Sequence, residues 1–193
     1  MKPGKVYLIG AGPGEPGLLT IKGRDCLALA DVIIYDYLAN PVLLGYAKPD
    51  AEKIYVGKSR GQHSIPQEEI NQLLADKAAA GLNVARLKGG DPYVFGRGGE
   101  EAALLHQQNI PFEVVPGVTA GFAAAAYAGI PLTHRDVTTS LALLTGHERP
   151  ERKLSSLDWE KLATGLGTLI FYMGMTNLKM ISEKLIAHGR PAE

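Results

Sequence analysis

The feature that most constrains this chain is a rhythm of short apolar runs. Val6-Tyr7-Leu8-Ile9, Asp31-Val32-Ile33-Ile34-Tyr35-Asp36, Lys53-Ile54-Tyr55-Val56-Gly57-Lys58, Asn83-Val84-Ala85-Arg86-Leu87 and Phe112-Glu113-Val114-Val115 each run into glycine, proline or a charged residue. Runs of this length bounded by turn residues read as strands buried on both faces. Helical spacing separates them. Leu18, Leu19, Ile21 and Leu27 follow the first run, while Ile70, Leu73, Leu74 and Ala78 form one face between Pro66 and Gly81. Glu100 to Gln107 carries its acids in the first turn, where the helix dipole favours them, and an alanine-rich stretch ends near Gly129. Strands alternating with helices predict an α/β fold with a mostly parallel sheet, covered on both faces and joined by right-handed crossovers. That first domain is expected over residues 1–130.

A second α/β domain is expected over residues 136–193. Ser140-Leu141-Ala142-Leu143-Leu144-Thr145-Gly146-His147 and Thr168-Leu169-Ile170-Phe171-Tyr172-Met173-Gly174 read as strands, with a charged, exposed segment from Glu148 to Lys153 between them. A helix from about Asn177 to His188 is stopped by Gly189 and Pro191. Two strands with one or two helices are fewer than an ordinary domain holds, so this domain is expected to be incomplete.

The densest signal for chemistry is the loop between the fourth strand and the helix at Glu100. Gly89, Gly90, Gly98 and Gly99, with Arg97, Asp91 and Glu100, fall within Arg86–Glu101. In open α/β sheets ligands bind where strands pass into helices, and glycines let a ligand reach the backbone. A tight turn alone would need fewer of them.

Composition narrows the ligand. The 193 residues are 46% hydrophobic, and twenty basic residues balance twenty acidic ones, so no net field draws nucleic acid or an anionic membrane. No apolar run reaches the roughly 18 residues that span a bilayer, and the first residues lack a signal peptide's apolar centre, so a cytoplasmic protein is expected. The single Cys26 excludes a disulfide within the chain and reads as a small buried hydrophobe. Gly10-Ala11-Gly12 imitates the start of a dinucleotide fingerprint, with Asp36 at the end of the second strand. The imitation fails at Glu15, where the third glycine should be, and at Pro13, which has no N–H for a pyrophosphate. A phosphate loop and a G-x-S-x-G elbow are both absent, and the five histidines are scattered without metal-ligand spacing. What remains is a glycine-walled cleft suited to an uncharged or zwitterionic adenosyl ligand, with no metal.

The ordered set Gly10 to Gly14, Val32 to Asp36, Val56-Gly57-Lys58, Pro66 to Asn71, Arg86 to Glu101, Val115 to Ala120, Gly129 to Arg135, Thr145-Gly146-His147 and Phe171 to Gly174 resembles the tetrapyrrole methylase family over nearly the whole chain. The Lys88–Glu101 signature and Gly129-Ile130-Pro131-Leu132-Thr133-His134-Arg135 resemble the members that act on uroporphyrinogen III more than precorrin or diphthamide methylases. The resemblance implies two α/β domains with S-adenosylmethionine held in the cleft between them. It also implies methyl transfer to two pyrrole carbons of uroporphyrinogen III, giving precorrin-2 for sirohaem or cobalamin, and a homodimer. By motif, Pro13, Gly89, Gly90, Asp91, Val94, Thr119, Ala120 and Met173 resemble cofactor contacts, and Asp36 and Lys58 match the family's proton acceptor and donor. Arg97 and Arg135, with Glu100 fixing Arg97 or a pyrrole N–H, are the candidates for the substrate's carboxylates. Family chains continue past Pro191, so the second domain is expected to be truncated. Another corrin-intermediate methylase and an inactive cofactor-binding module are the alternatives.

Overall fold

The computed structural model describes residues 2–57, 65–147 and 157–192. The chain divides into two units, Met1–Ala120 and Gly121–Glu193.

The first unit is built on five strands, β1 (Val6–Gly10), β2 (Val32–Tyr35), β3 (Glu52–Tyr55), β4 (Val84–Lys88) and β5 (Phe112–Val115). They pair in the order β3-β2-β4-β1-β5, and every pairing is parallel. Because side chains alternate across a strand, each apolar run serves two cores. Val6, Leu8, Val32, Ile34 and Val84 face one way and pack with Ile70 and Leu74 of α2 (Gln67–Ala79) and with Ala102 and Leu105 of α3 (Gly98–Gln107). Ile9, Ile33, Ala85, Leu87 and Val115 face the other way, against Cys26 and Leu27 of α1 (Ile21–Leu29) and Leu43.

Local chemistry sets the helix ends. The Thr20 hydroxyl accepts from the Gly23 N–H at 3.0 Å and caps α1. Leu18 and Leu19, expected to open this helix, instead end a separate 3₁₀ turn, Pro16–Leu18 with Leu19 as its C-cap, because Pro16 supplies its start and Thr20 begins the helix proper. A second 3₁₀ helix, Pro41–Tyr46, capped by Asn40, has no counterpart in the sequence reading. α3 starts abruptly, because Arg97 just before it adopts φ 58°.

The second unit contains α4 (Ala120–Tyr127, entering from the end of the first unit), β6 (Leu141–Thr145), α5 (Trp159–Gly165), β7 (Thr168–Tyr172) and α6 (Leu178–Ala187). β6 and β7 are parallel neighbours. The units part some ten residues before the expected boundary near 130, since α4 packs with β7. The Gly121 N–H donates to the Tyr172 hydroxyl at 3.0 Å, and a Cβ there would lie 2.7 Å from Ile170. α5 was not singled out by its pattern; Asp158 caps it, and Trp159 stacks on Phe171 with ring centroids 6.2 Å apart. The expected charged segment at 148–153 lies outside the described residues.

Candidate functional site

Three loops meet at the carboxyl edge of the first unit's sheet, because β4, β1 and β5 are neighbours. Beyond β1 the Ala11 N–H donates to Lys88 O at 2.7 Å, and Gly12 and Gly90 exchange backbone hydrogen bonds of 3.2 and 2.7 Å. The loop after β5 closes the junction: the Gly117 N–H donates to Asp91 Oδ2 at 3.0 Å, while Asp91 Oδ1 accepts from Tyr93 N–H at 2.8 Å. Glycine is needed where these backbones touch. A Cβ on Gly117 would lie 2.2 Å from Gly90 O, and one on Gly89 would lie 2.5 Å from the Leu38 Cβ. Gly90 itself sits at φ 65°, in the left-handed region glycine favours, with Thr119 and Ala120 backbone atoms 3.8 Å from where its Cβ would be.

The junction thus brings together the candidates Gly89, Gly90, Asp91, Thr119 and Ala120, with Pro13 next to Gly12. Much of the glycine density comes from packing loop on loop. Asp91 is a latch between two loops as well as a candidate ligand contact. A carboxylate offers about four acceptor positions, and the Gly117 and Tyr93 N–H groups take two of them.

Val94, Arg97 and Glu100 lie further along the same segment. Arg97 grips Glu100 through Nε–Oε1 at 2.8 Å and Nη2–Oε2 at 2.6 Å, a two-pronged pair about half exposed. Phe95 and Arg97 both take positive φ, 52° and 58°, a strained geometry for residues with side chains. In the second unit Met173 does the same at φ 56° with its side chain exposed, and Arg135 is exposed within the turn closed by the His134–Thr138 bridge. Lys58 falls outside the described residues.

Asp36 follows β2. Its Oδ1 accepts from Leu38 N–H at 3.0 Å, and its Oδ2 meets Arg86 Nη2 at 2.9 Å. Arg86 opens a buried polar cluster that sequence reasoning missed. Arg86 Nε, Lys88 Nζ and Gln67 Nε2 all donate to Glu101 Oε1, at 3.1, 2.8 and 3.2 Å. The side chains of Arg86 and Lys88 are 4% exposed and that of Glu101 not at all. Burial, with Arg86 alongside, pushes the Lys88 ammonium below its ordinary value, against the opposing pull of Glu101. The signal was present: two cations two residues apart on a buried strand share one face, and Glu101 lies one turn before the buried Leu105. Among the described residues no group of three or more His, Cys, Asp or Glu is placed to hold a metal.

Fold and site together define a parallel α/β protein with a glycine-rich, side-chain-poor loop junction at the carboxyl edge of its sheet, where ligands of such folds bind. The profile of the Tetrapyrrole (Corrin/Porphyrin) Methylases matches residues 5–193, and the chain belongs to that family. It is 56% identical over 190 residues to a uroporphyrinogen-III C-methyltransferase of Bacillus subtilis, covering 98% of this chain and 39% of that protein. It is 55% identical over 187 residues to the enzyme of that name from Priestia megaterium, covering 97% and 78%. The crystal structure of uroporphyrin-III C-methyl transferase from Thermus thermophilus complexed with S-adenyl homocysteine superposes with TM-score 0.80 at 43% identity, covering 97% of this chain and 78% of that one. The chain therefore spans well under half of one curated relative and over three quarters of another.

Proposed function

We propose that this chain carries the S-adenosylmethionine-dependent methylation of uroporphyrinogen III at two pyrrole carbons, giving precorrin-2. The observation that carries the reading is the three-loop junction at Gly12, Gly90 and Gly117, in a chain so similar to proteins of that activity. The cradle fits an adenosyl ligand. Space remains where a Gly90 Cβ would stand, and Asp91 keeps acceptor capacity for ribose hydroxyls or an amino group. Pro13, Gly89, Val94, Thr119 and Ala120 supply the remaining walls; Met173, in the second unit, is taken as a cofactor contact on its motif alone.

When bound, the donor supplies a sulfonium methyl that needs no further activation. The protein's work is to align a ring carbon behind that methyl, exclude water and manage a proton. Asp36 accepts the proton released from the methylated ring, and Lys58 serves as donor. Arg97, fixed by Glu100, and Arg135 meet substrate carboxylates. The same reading makes the protein a cytoplasmic homodimer, which sedimentation measurements would check.

The test is incubation with methyl-labelled donor and freshly reduced uroporphyrinogen III. Label in a dimethylated tetrapyrrole is expected. Cofactor affinity by calorimetry without any methylated product would instead mark the chain as a binding module, and label only on later corrin intermediates would reassign the substrate. Within the reading, Arg97→Ala should raise KM for the tetrapyrrole about tenfold or more and leave S-adenosylhomocysteine affinity unchanged. Equal loss of both would contradict the role given to Arg97.

A further inference from the structure

The cluster of Arg86, Lys88 and Glu101 has no part in the roles assigned so far, and burying it is costly. Two cations and a carboxylate taken out of water lose several kcal/mol of hydration each, and apolar residues of the same size would often serve a core as well or better. Around it the core does use such residues: Ile34, Val84, Ile70 and Leu105. Glu101 Oε2 even lacks a hydrogen-bond partner among the described residues.

The geometry shows where the cluster leads. Arg86 occupies a central strand with Ile34 of β2 and Leu8 of β1 beside it. Its guanidinium is held by Glu101 through Nε and by Leu87 O at 3.1 Å through Nη1. That leaves Nη2, which reaches the end of β2 and meets Asp36 at 2.9 Å. Exposure rises in the same direction: the Glu101 side chain is 0% exposed, Arg86 4% and Asp36 20%. Lys88 donates to the Glu101 oxygen that holds Arg86 and brings the group to two cations and two carboxylates.

We propose that Arg86 is the positioning residue for Asp36. Glu101, itself held by Lys88, fixes the guanidinium, and its remaining prong holds Oδ2 while the Leu38 N–H holds Oδ1. The carboxylate is locked at both oxygens in one orientation at the sheet edge. This inference rests on the reading of Asp36 as proton acceptor, so the experiment separates the two.

Arg86→Lys keeps the charge and loses the rigid fork. With the reading in force, Asp36→Asn should lower kcat about 10²- to 10⁴-fold, and Arg86→Lys should lower it about tenfold or more through misplacement of the carboxylate. KM for donor and tetrapyrrole should stay within about twofold in Arg86→Lys, as expected when a ground-state contact is not touched. In the Asp36→Asn background Arg86→Lys should cause no further loss of kcat, because the group it positions is gone. Glu101→Gln gives the same comparison should Arg86→Lys not fold. A readout independent of turnover is the side-chain carboxyl ¹³C shift of Asp36, assigned through Asp36→Asn, which Arg86→Lys should displace more than that of Asp91. Full activity in Asp36→Asn would overturn the reading of Asp36 and the proposal with it. A slow Asp36→Asn combined with losses that multiply, or an Asp36 shift that does not move, would overturn the proposal alone.

Discussion

β4 and β7 reverse what hydropathy suggests. β4, Val-Ala-Arg-Leu-Lys, carries two cations and is buried at all five positions; β7, Thr-Leu-Ile-Phe-Tyr, carries no charge and is only half-buried along its length. The difference is place. β4 lies between β2 and β1 with helices packed over both sheet faces, whereas β7 pairs with β6 alone among the described residues. A central strand buries whatever it carries, so its charges must find partners inside, and the Glu101 carboxylate beneath β4 is that partner. The strands do share one device. Glycines let the backbone beyond their ends pack closely, Gly90 against Gly117 in the first unit and Gly146 against Gly174 in the second.

The sharpest way to break the comparison is Glu101→Leu, which leaves Lys88 buried without its paired carboxylate and Arg86 with Asp36 alone. It should destabilise by about 3–5 kcal/mol, whereas Ile170→Ala on half-buried β7 should lose roughly 1–2 kcal/mol; denaturant unfolding compares them, and equal losses would remove the distinction. Next come the close approaches. Gly117→Ala and Gly146→Ala put a Cβ 2.2 Å from Gly90 O and 2.4 Å from the Gly174 Cα. Each should cost about 1–3 kcal/mol, while Gly99→Ala, with nothing within 4 Å of its Cβ, should stay within about 0.5 kcal/mol.

Helix caps are local, so they should not distinguish the two regions. Thr20→Ala, at α1, and Asp158→Ala, at α5, each remove one side-chain acceptor from a helix start. Both should lower stability by about 1 kcal/mol in thermal unfolding.

The smallest effect belongs to a charge on the same sheet that remains near water. Hydrogen bonds from Lys22 and then Lys5 hold the Glu113 carboxyl down at about 2 from an ordinary 4.5. A depressed acid contributes stability fully above its unfolded value, and that share is lost as pH falls from about 4.5 towards 2. Glu113 is 28% exposed, so its share is a few tenths to about 1 kcal/mol. Glu113→Gln should remove that amount at neutral pH and flatten the acid limb of the stability curve, measured by urea unfolding across this range. An unchanged limb would show that the pairs contribute nothing.

The sequence alone determined the alternation of strands and helices, since apolar period, caps and glycine stops are local properties of consecutive residues. It also marked Gly89, Gly90, Asp91 and Arg97 as the candidate loop, because a glycine-dense turn after a buried strand is visible without any long-range contact. The order β3-β2-β4-β1-β5 was decided only in three dimensions, by pairings between residues far apart in the chain, such as Val6 with Val84 and with Phe112. So were the second job of Asp91 as a latch to Gly117, the attachment of α4 to β7, and the burial of Arg86 and Lys88 on Glu101. A sequence states what each residue can donate, accept or exclude from water; which partner lies within 3 Å follows from how the strands stack side by side.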